Sequence, residues 1–144
     1  MSVKQISVFV ENKPGAMCAM TAELAKNQID MRALSLAETS DFGIVRIIVN
    51  DLDKATSVLN EAGYIHSVSP VVAVAIPDTP GGLNSVLTVL SEAQVNVEYM
   101  YAFLGGKDTE HAYMIFRVED PKAAAAALAA KNIQVVNQGE IAGL

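Results

Sequence analysis

Hydrophobic and polar residues alternate over Gln5–Val10, which predicts a strand with one buried face. After Pro14-Gly15, hydrophobic residues recur every three or four positions through Ala16–Asn27, the spacing of a helix with one apolar side. The same patterns continue along the first half of the chain. They predict further strands at Ile29–Glu38, Ile44–Val49 and Tyr64–Val68, and a second helix from its cap at Asp51 through Ala62.

The second half of the chain repeats the first. The segment Lys13–Met17 resembles Thr79–Leu83 at an offset of 66 positions, and Val49–Asp51 resembles Val118–Asp120 at an offset of 69. The three additional residues fit a longer hairpin turn near Gly105-Gly106 in the second copy. The elements predicted for this copy are strands at 71–76, 95–103, 112–118 and 133–136, and helices at 81–93 and 120–131.

Each copy has the element order βαββαβ, which predicts an α+β fold of two ferredoxin-like units in tandem. In each unit an antiparallel sheet would carry both helices on one face, and the two sheets would pack side by side. The predicted domains are residues 1–70 and 71–144. A unit of about 70 residues buries little surface alone. We therefore expect its open face and edges to be covered, either by the other unit or by a second chain in a homodimer.

Composition and charge exclude several classes of protein. Acidic residues number 16 against 10 basic ones, so the net charge of −6 opposes binding to nucleic acid. One cysteine cannot form an internal disulfide, and no Cys/His cluster could hold zinc, so no metal or other cofactor is expected. Neither a membrane span nor a signal-peptide pattern occurs, which predicts a cytoplasmic protein with no membrane partner.

The turn between the first strand and the first helix of each copy has the chemistry of a binding site. Proline fixes φ there and glycine lets a ligand approach the backbone, while the N–H groups of the helix start attract a carboxylate. Asn12 in one copy and Asp78 in the other offer an acceptor for an ammonium group. Together these groups suit a zwitterion. The alternative is that these residues only form ordinary turns.

The loop pattern, within a repeated βαββαβ order, resembles the ACT domain. The resemblance covers nearly the whole chain, as two tandem ACT domains without a catalytic partner, and implies a regulatory module that binds free amino acids between ACT units. It places the amino-acid site at loop, helix-start and facing-strand positions. These are Asn12, Pro14, Gly15, Ala16, Met17, Ser35 and Leu36 in the first copy, and Asp78, Pro80, Gly81, Gly82, Leu83 and Tyr101 in the second.

The two copies differ around these loops. Pro77 stands where the first copy has Glu11, Ala75 stands where it has Phe9, and Gly82 adds a glycine. The two sites therefore need not bind equally, and one of them could be silent. For Tyr101, packing within the sheet is the alternative to lining the site.

A non-catalytic amino-acid sensor is the leading hypothesis for function. No nucleophile, base and acid cluster in the sequence, so an enzyme is not expected, and Cys18 is interpreted as a buried structural residue. The alternative is a regulatory subunit that docks on a separate biosynthetic enzyme such as acetolactate synthase. The alanine-rich segment 123–130 offers a docking surface for such a partner.

Overall fold

A computed structural model describes residues 2–103 and 110–143. The chain divides into two compact units, one spanning Lys4–Ser69 and the other beginning at Pro70 and including residues 2–3. We call them the first and second unit. Whether each is an independent domain stays a prediction, and the hairpin turn predicted near Gly105-Gly106 lies outside the described residues.

The first unit has the predicted order of strands and helices. Strand β3 lies between β1 and β2 and is antiparallel to both. On its other side β1 pairs with β4, and the Phe9 N–H donates to the Ile65 carbonyl at 3.0 Å. The elements are β1 (Val3–Glu11), α1 (Ala16–Lys26), β2 (Met31–Glu38), β3 (Phe42–Val49), α2 (Leu52–Glu61) and the beginning of β4 (His66–Pro77).

The second unit repeats this arrangement. Its strands follow the order β5-β6-β4-β7, all antiparallel, which is the order of the first unit. Its elements are the rest of β4, α3 (Gly82–Glu92), β5 (Val97–Phe103), β6 (His111–Val118), α4 (Pro121–Ala130), β7 (Val135–Val136) and α5 (Gln138–Gly143). The α+β class is therefore confirmed. The ferredoxin-like arrangement is supported within each unit, whereas side-by-side packing stays a prediction.

One apolar face of each sheet packs with the helices to form a core. In the first unit Ile6, Val8 and Val10 are buried together, as the alternation of β1 predicts, but Gln5 and Ser7 on the opposite face are buried as well, so β1 is not half-exposed as expected. They pack with Met20 and Leu24 of α1. The second unit has an equivalent core. It is formed by Val72, Val74, Ile76, Val86, Leu90, Phe116, Val118, Ala124 and Leu128.

The largest differences from the prediction concern β4 and α5, and β7 covers only Val135–Val136 of the strand expected at 133–136. The strands expected at 64–68 and 71–76 form one 12-residue strand, β4, which runs through Pro70 even though proline has no N–H to donate. Helix α5 was not predicted. Asn137 caps it, accepting from the Glu140 N–H at 2.9 Å and donating to the Glu140 carboxylate at 2.8 Å, and Ile141 anchors it by complete burial.

Backbone residues with positive φ follow the four main helices and end them. Gln28 and Gln94 have φ of 56° and 60°, and they delay the start of β2 and β5 relative to the prediction. Gly63 and Asn132 take the same left-handed conformation after α2 and α4. The repeat therefore extends to the backbone conformation of the helix ends.

The helix starts are of two kinds. Asp51 and Asp120 cap α2 and α4, each accepting a backbone N–H at 3.1 Å. Helices α1 and α3 instead follow Gly15 and Gly81, with φ of 85° and 86°, and no side chain caps either of them. The N–H groups of these two helix starts are thus left to other partners.

We expect Asp51→Ala to lower the free energy of unfolding by about 1 kcal/mol, because the Lys54 N–H loses its acceptor. Urea denaturation followed by circular dichroism measures the change. Asp51→Asn is the control, since its amide oxygen keeps the cap and should leave stability nearly unchanged. Equal losses in the two variants would contradict the capping role.

Candidate functional site

The first loop, residues 12–17, turns the chain from β1 into α1. The Ala16 N–H donates to the Lys13 carbonyl at 3.3 Å, and the first helical bond runs from the Ala19 N–H to the Gly15 carbonyl at 2.9 Å. Met17 and Cys18 lie between these residues, where a helix provides no internal acceptor for the N–H groups. Since the helix dipole is positive at this end, the first loop presents donors suited to an anion.

Asn12 fixes this loop to the turn between β2 and β3. Its backbone N–H donates to the Asp41 carbonyl at 3.2 Å, and its side-chain Nδ2 donates to the Thr39 carbonyl at 3.0 Å. Asn12 therefore does satisfy local backbone, as the turn interpretation expects. Because the NH2 group makes this bond, Oδ1 is the atom of the side chain that can accept from an ammonium group.

A cavity of about 150 Å³ lies where the first loop meets β2 and β3. Five of the residues that line it were proposed from the sequence: Asn12, Gly15, Ala16, Met17 and Leu36. The other five were not among the proposed site residues: Val10, Glu11, Lys13, Glu38 and Gly43. Pro14 shapes the loop but does not line the cavity. The cavity therefore combines helix-start donors with an apolar wall and charged groups at its edge.

Gly43 lets Leu36 pack directly over the floor of this cavity. It is buried on β3 and pairs with Val10 on one side and Glu38 on the other. A Cβ atom at this position would lie 2.9 Å from Leu36 Cδ1 and 3.5 Å from Val10 Cγ2. Leu36 can thus take this position because residue 43 has no side chain.

Two carboxylates and one ammonium group border the cavity. Lys13 pairs with Glu11 at 2.9 Å, and both side chains are largely exposed. A surface pair of this kind adds little stability. Both side chains can therefore turn toward a bound molecule at small cost, and Glu38 adds a further acceptor.

The second loop, residues 78–83, has almost the same backbone. The Gly82 N–H donates to the Thr79 carbonyl at 3.0 Å, and the Ser85 N–H donates to the Gly81 carbonyl at 3.0 Å. Asp78 and Pro80 are exposed, whereas Leu83 packs partly against the core of the unit. The second loop also presents an uncapped helix start, but its surroundings differ.

Comparison with known proteins identifies the family. The sequence model of the ACT domain pair matches residues 1–144. The chain belongs to the ACT domain pair family. No curated protein matches it at a significant level.

Solved structures agree with this assignment. The ACT pair is similar to protein BT0572 from Bacteroides thetaiotaomicron, with 35% identity and a TM-score of 0.92 over 100% of this chain and 98% of that one. The ligand-free regulatory subunit of aspartate kinase from Thermus thermophilus matches with 16% identity and a TM-score of 0.62, over 88% and 90% of the two chains. Aspartate kinase from Synechocystis matches with 18% identity and a TM-score of 0.58, over 89% of this chain and 25% of that one. The last two likenesses concern the fold alone.

Ser35 and Tyr101 do not lie with the loops of their own units. Ser35 pairs with Arg46, and Tyr101 pairs with Ile115, which places both on the sheet face opposite the helices. Tyr101 is buried, as the packing interpretation expects. The sequence reasoning treated these strand segments as blocks, although alternate residues of a strand face opposite ways. Their role in ligand binding stays a prediction.

Cys18 and the possible metal-binding side chains were the other candidate groups in the described part of the chain. Cys18 is exposed on α1, not buried as expected, because it lies on the solvent side of the first turn. Among residues 2–103 and 110–143, no group of His, Cys, Asp and Glu is placed to hold a metal ion. No helix in that part of the chain is long and apolar enough to cross a membrane.

Proposed function

We propose that this ACT pair is a non-catalytic sensor that binds a free amino acid at the first loop and thereby regulates amino-acid metabolism. One observation carries the proposal. The 150 Å³ cavity brings helix-start N–H groups, the Asn12 acceptor and an apolar wall into one small space. Membership of the ACT domain pair family supports the same function.

Each part of an amino acid has a partner in this cavity. The carboxylate accepts from the N–H group of Met17, favoured by the helix dipole. The ammonium group donates to Asn12 Oδ1 and lies near the carboxylate of Glu38. The side chain packs against Val10 and Leu36. Since sites for drug-sized ligands begin at about 300 Å³, a cavity half that size suits a molecule as small as an amino acid.

Ligand binding would act by fixing the position of the first loop relative to strands β2 and β3. A ligand that contacts the first loop, β2 and β3 together favours the conformation in which those three elements are close. We further propose that the protein works in the cytoplasm, as a homodimer, and that ligand binding shifts its assembly or its contact with a partner.

The alternative proposal is a regulatory subunit of a separate biosynthetic enzyme. Helix α4 buries Ala124 and Leu128 but exposes only small side chains on its outer face over Ala123–Ala130. A partner backbone could approach such a face closely. Affinity capture with the full chain as bait tests this proposal, and recovery of an amino-acid biosynthetic enzyme such as acetolactate synthase would favour it.

We expect at least one common L-amino acid, added singly at millimolar concentration, to raise the melting temperature of the full chain. Asn12→Ala should lower the affinity for that amino acid by about tenfold or more, because a hydrogen bond to the charged ammonium group is lost. Isothermal titration calorimetry measures the affinity. Asn60→Ala is the matched control, since Asn60 is exposed on α2 and does not line the cavity. Stabilisation by no amino acid would overturn the proposed function.

A further inference from the structure

We infer that the amino acid binds to the first unit alone, and that three pairs of equivalent residues make the second loop unable to bind it. The pairs are Ala16 and Gly82, Gly43 and Ala112, and Leu36 and Ala102. This inference rests on the proposed function. It adds how many amino-acid sites the chain has and which residues determine whether each loop binds a ligand.

The difference between the two loops does not come from their turns. Gly15 and Gly81 have φ of 85° and 86°, and equivalent hydrogen bonds close both turns. Asn12 and Asp78 also donate their backbone N–H groups in the same way, to Asp41 and Glu110. A ligand that recognised only the backbone would thus bind both loops. Side-chain positions around the turns must decide between them.

The first difference lies at the helix start. A Cβ atom at Gly82 would collide with the Pro77 carbonyl oxygen, so that oxygen lies directly beside the first residue of α3. In the first unit Ala16 carries this Cβ, which excludes the same approach by the carbonyl of Glu11. A carbonyl oxygen beside the helix start repels a ligand carboxylate and occupies space next to its donors. The second loop therefore places a carbonyl oxygen beside its helix start, where the first loop carries the uncharged methyl group of Ala16.

The second difference lies at the floor. Gly43 pairs with Val10 at the end of β1, and Ala112 pairs with Ile76 at the end of β4. The two residues are equivalent in the repeat. Ala112 is partly buried against the core of the second unit, so it carries a methyl group at the position where Leu36 packs over Gly43 in the first unit.

The third difference lies at the outer wall. Leu36 and Ala102 are equivalent because they pair with the equivalent residues Val45 and Met114. Leu36 is 54% exposed, and its Cδ1 reaches over Gly43. The methyl group of Ala102 is too short to extend over Ala112 in the same way. Leu36 would thus cover a ligand side chain in the first unit, whereas Ala102 would not cover one in the second.

Nuclear magnetic resonance can locate the bound amino acid. The full chain, labelled with ¹⁵N, is titrated with each common L-amino acid separately at millimolar concentration. We expect amide shifts at Gly15, Ala16 and Met17 that saturate with one ligand per chain, and no saturating shifts at Gly81–Leu83. Saturation at both loops with affinities within tenfold would overturn the inference but leave the proposed function intact. Shifts at neither loop would overturn the proposed function itself.

A matched pair of variants tests the residues that determine occupancy. Gly43→Ala should weaken binding at least tenfold, whereas Ala112→Gly should leave it unchanged. The added methyl contacts the flexible end of Leu36, so circular dichroism should show that Gly43→Ala still folds. Leu36→Ala, at an exposed position, is a second variant that should weaken binding without affecting folding. Unchanged affinity in both Gly43→Ala and Leu36→Ala would overturn the assigned roles.

Discussion

Replacement of Gly82 by alanine is expected to lower the free energy of unfolding by about 2 kcal/mol, although alanine is normally the better helix former. The added Cβ would collide with the Pro77 carbonyl oxygen and lie 3.2 Å from the carbonyl carbon. Both are backbone atoms, so they cannot rotate away as a flexible side chain can. The loop must therefore shift, at the cost of hydrogen bonds such as that from the Asp78 N–H to the Glu110 carbonyl.

Urea denaturation monitored by circular dichroism measures this loss. Gly143→Ala is the matched control, because a Cβ there meets nothing within 4 Å, and its stability should equal that of the wild type. Ala16→Gly provides the reverse comparison in the first unit and should cost no more than about 1 kcal/mol through helix propensity. A Gly82→Ala variant as stable as the wild type would show that the Pro77 carbonyl does not restrict this helix start.

Phe116→Ala should cost about 4 kcal/mol, the largest effect of any substitution considered. Phe116 is only 1% exposed and lies in the core of the second unit with Val72, which pairs with it across β4 and β6. Removal of the ring loses the free energy gained by transferring it from water to the core. It also leaves a cavity, which cannot close because strands flank it on both sides.

Phe42→Ala is the control for this substitution. Phe42 is 40% exposed and contacts Phe9 with 5.9 Å between ring centroids, so its loss should cost only about 1 kcal/mol. The difference between the two variants measures burial, because the side chain removed is the same. Equal losses would mean that Phe116 does not pack as the structure describes.

Features that depend only on residues close together in the chain can be predicted from the sequence alone. Alternation along β1 predicted its buried face, and Asp51 and Asp120 predicted the starts of α2 and α4. The repeated Pro-Gly pairs located both uncapped helix starts. Each of these signals acts within about four residues, so no tertiary information is needed to read it.

Features that depend on strand register could not be obtained in this way. The importance of Gly43 follows from its place between Val10 and Leu36, which come from two other strands. Ser35 was assigned to the same wall as Leu36, yet neighbouring residues of a strand face opposite ways. Helix α5 has a local signal, the Asn137-x-x-Glu140 cap, but six residues are too few to show the hydrophobic periodicity of a helix.

The close approach of Leu36 to Gly43 has a consequence for protein engineering. Residue 43 has no side chain to shorten, and any side chain added there would displace the end of Leu36. Leu36 can be changed in either direction, because shorter side chains open the wall and longer ones extend it. A library intended to convert this ACT pair into a biosensor for bulkier amino acids should therefore keep glycine at position 43 and randomise position 36.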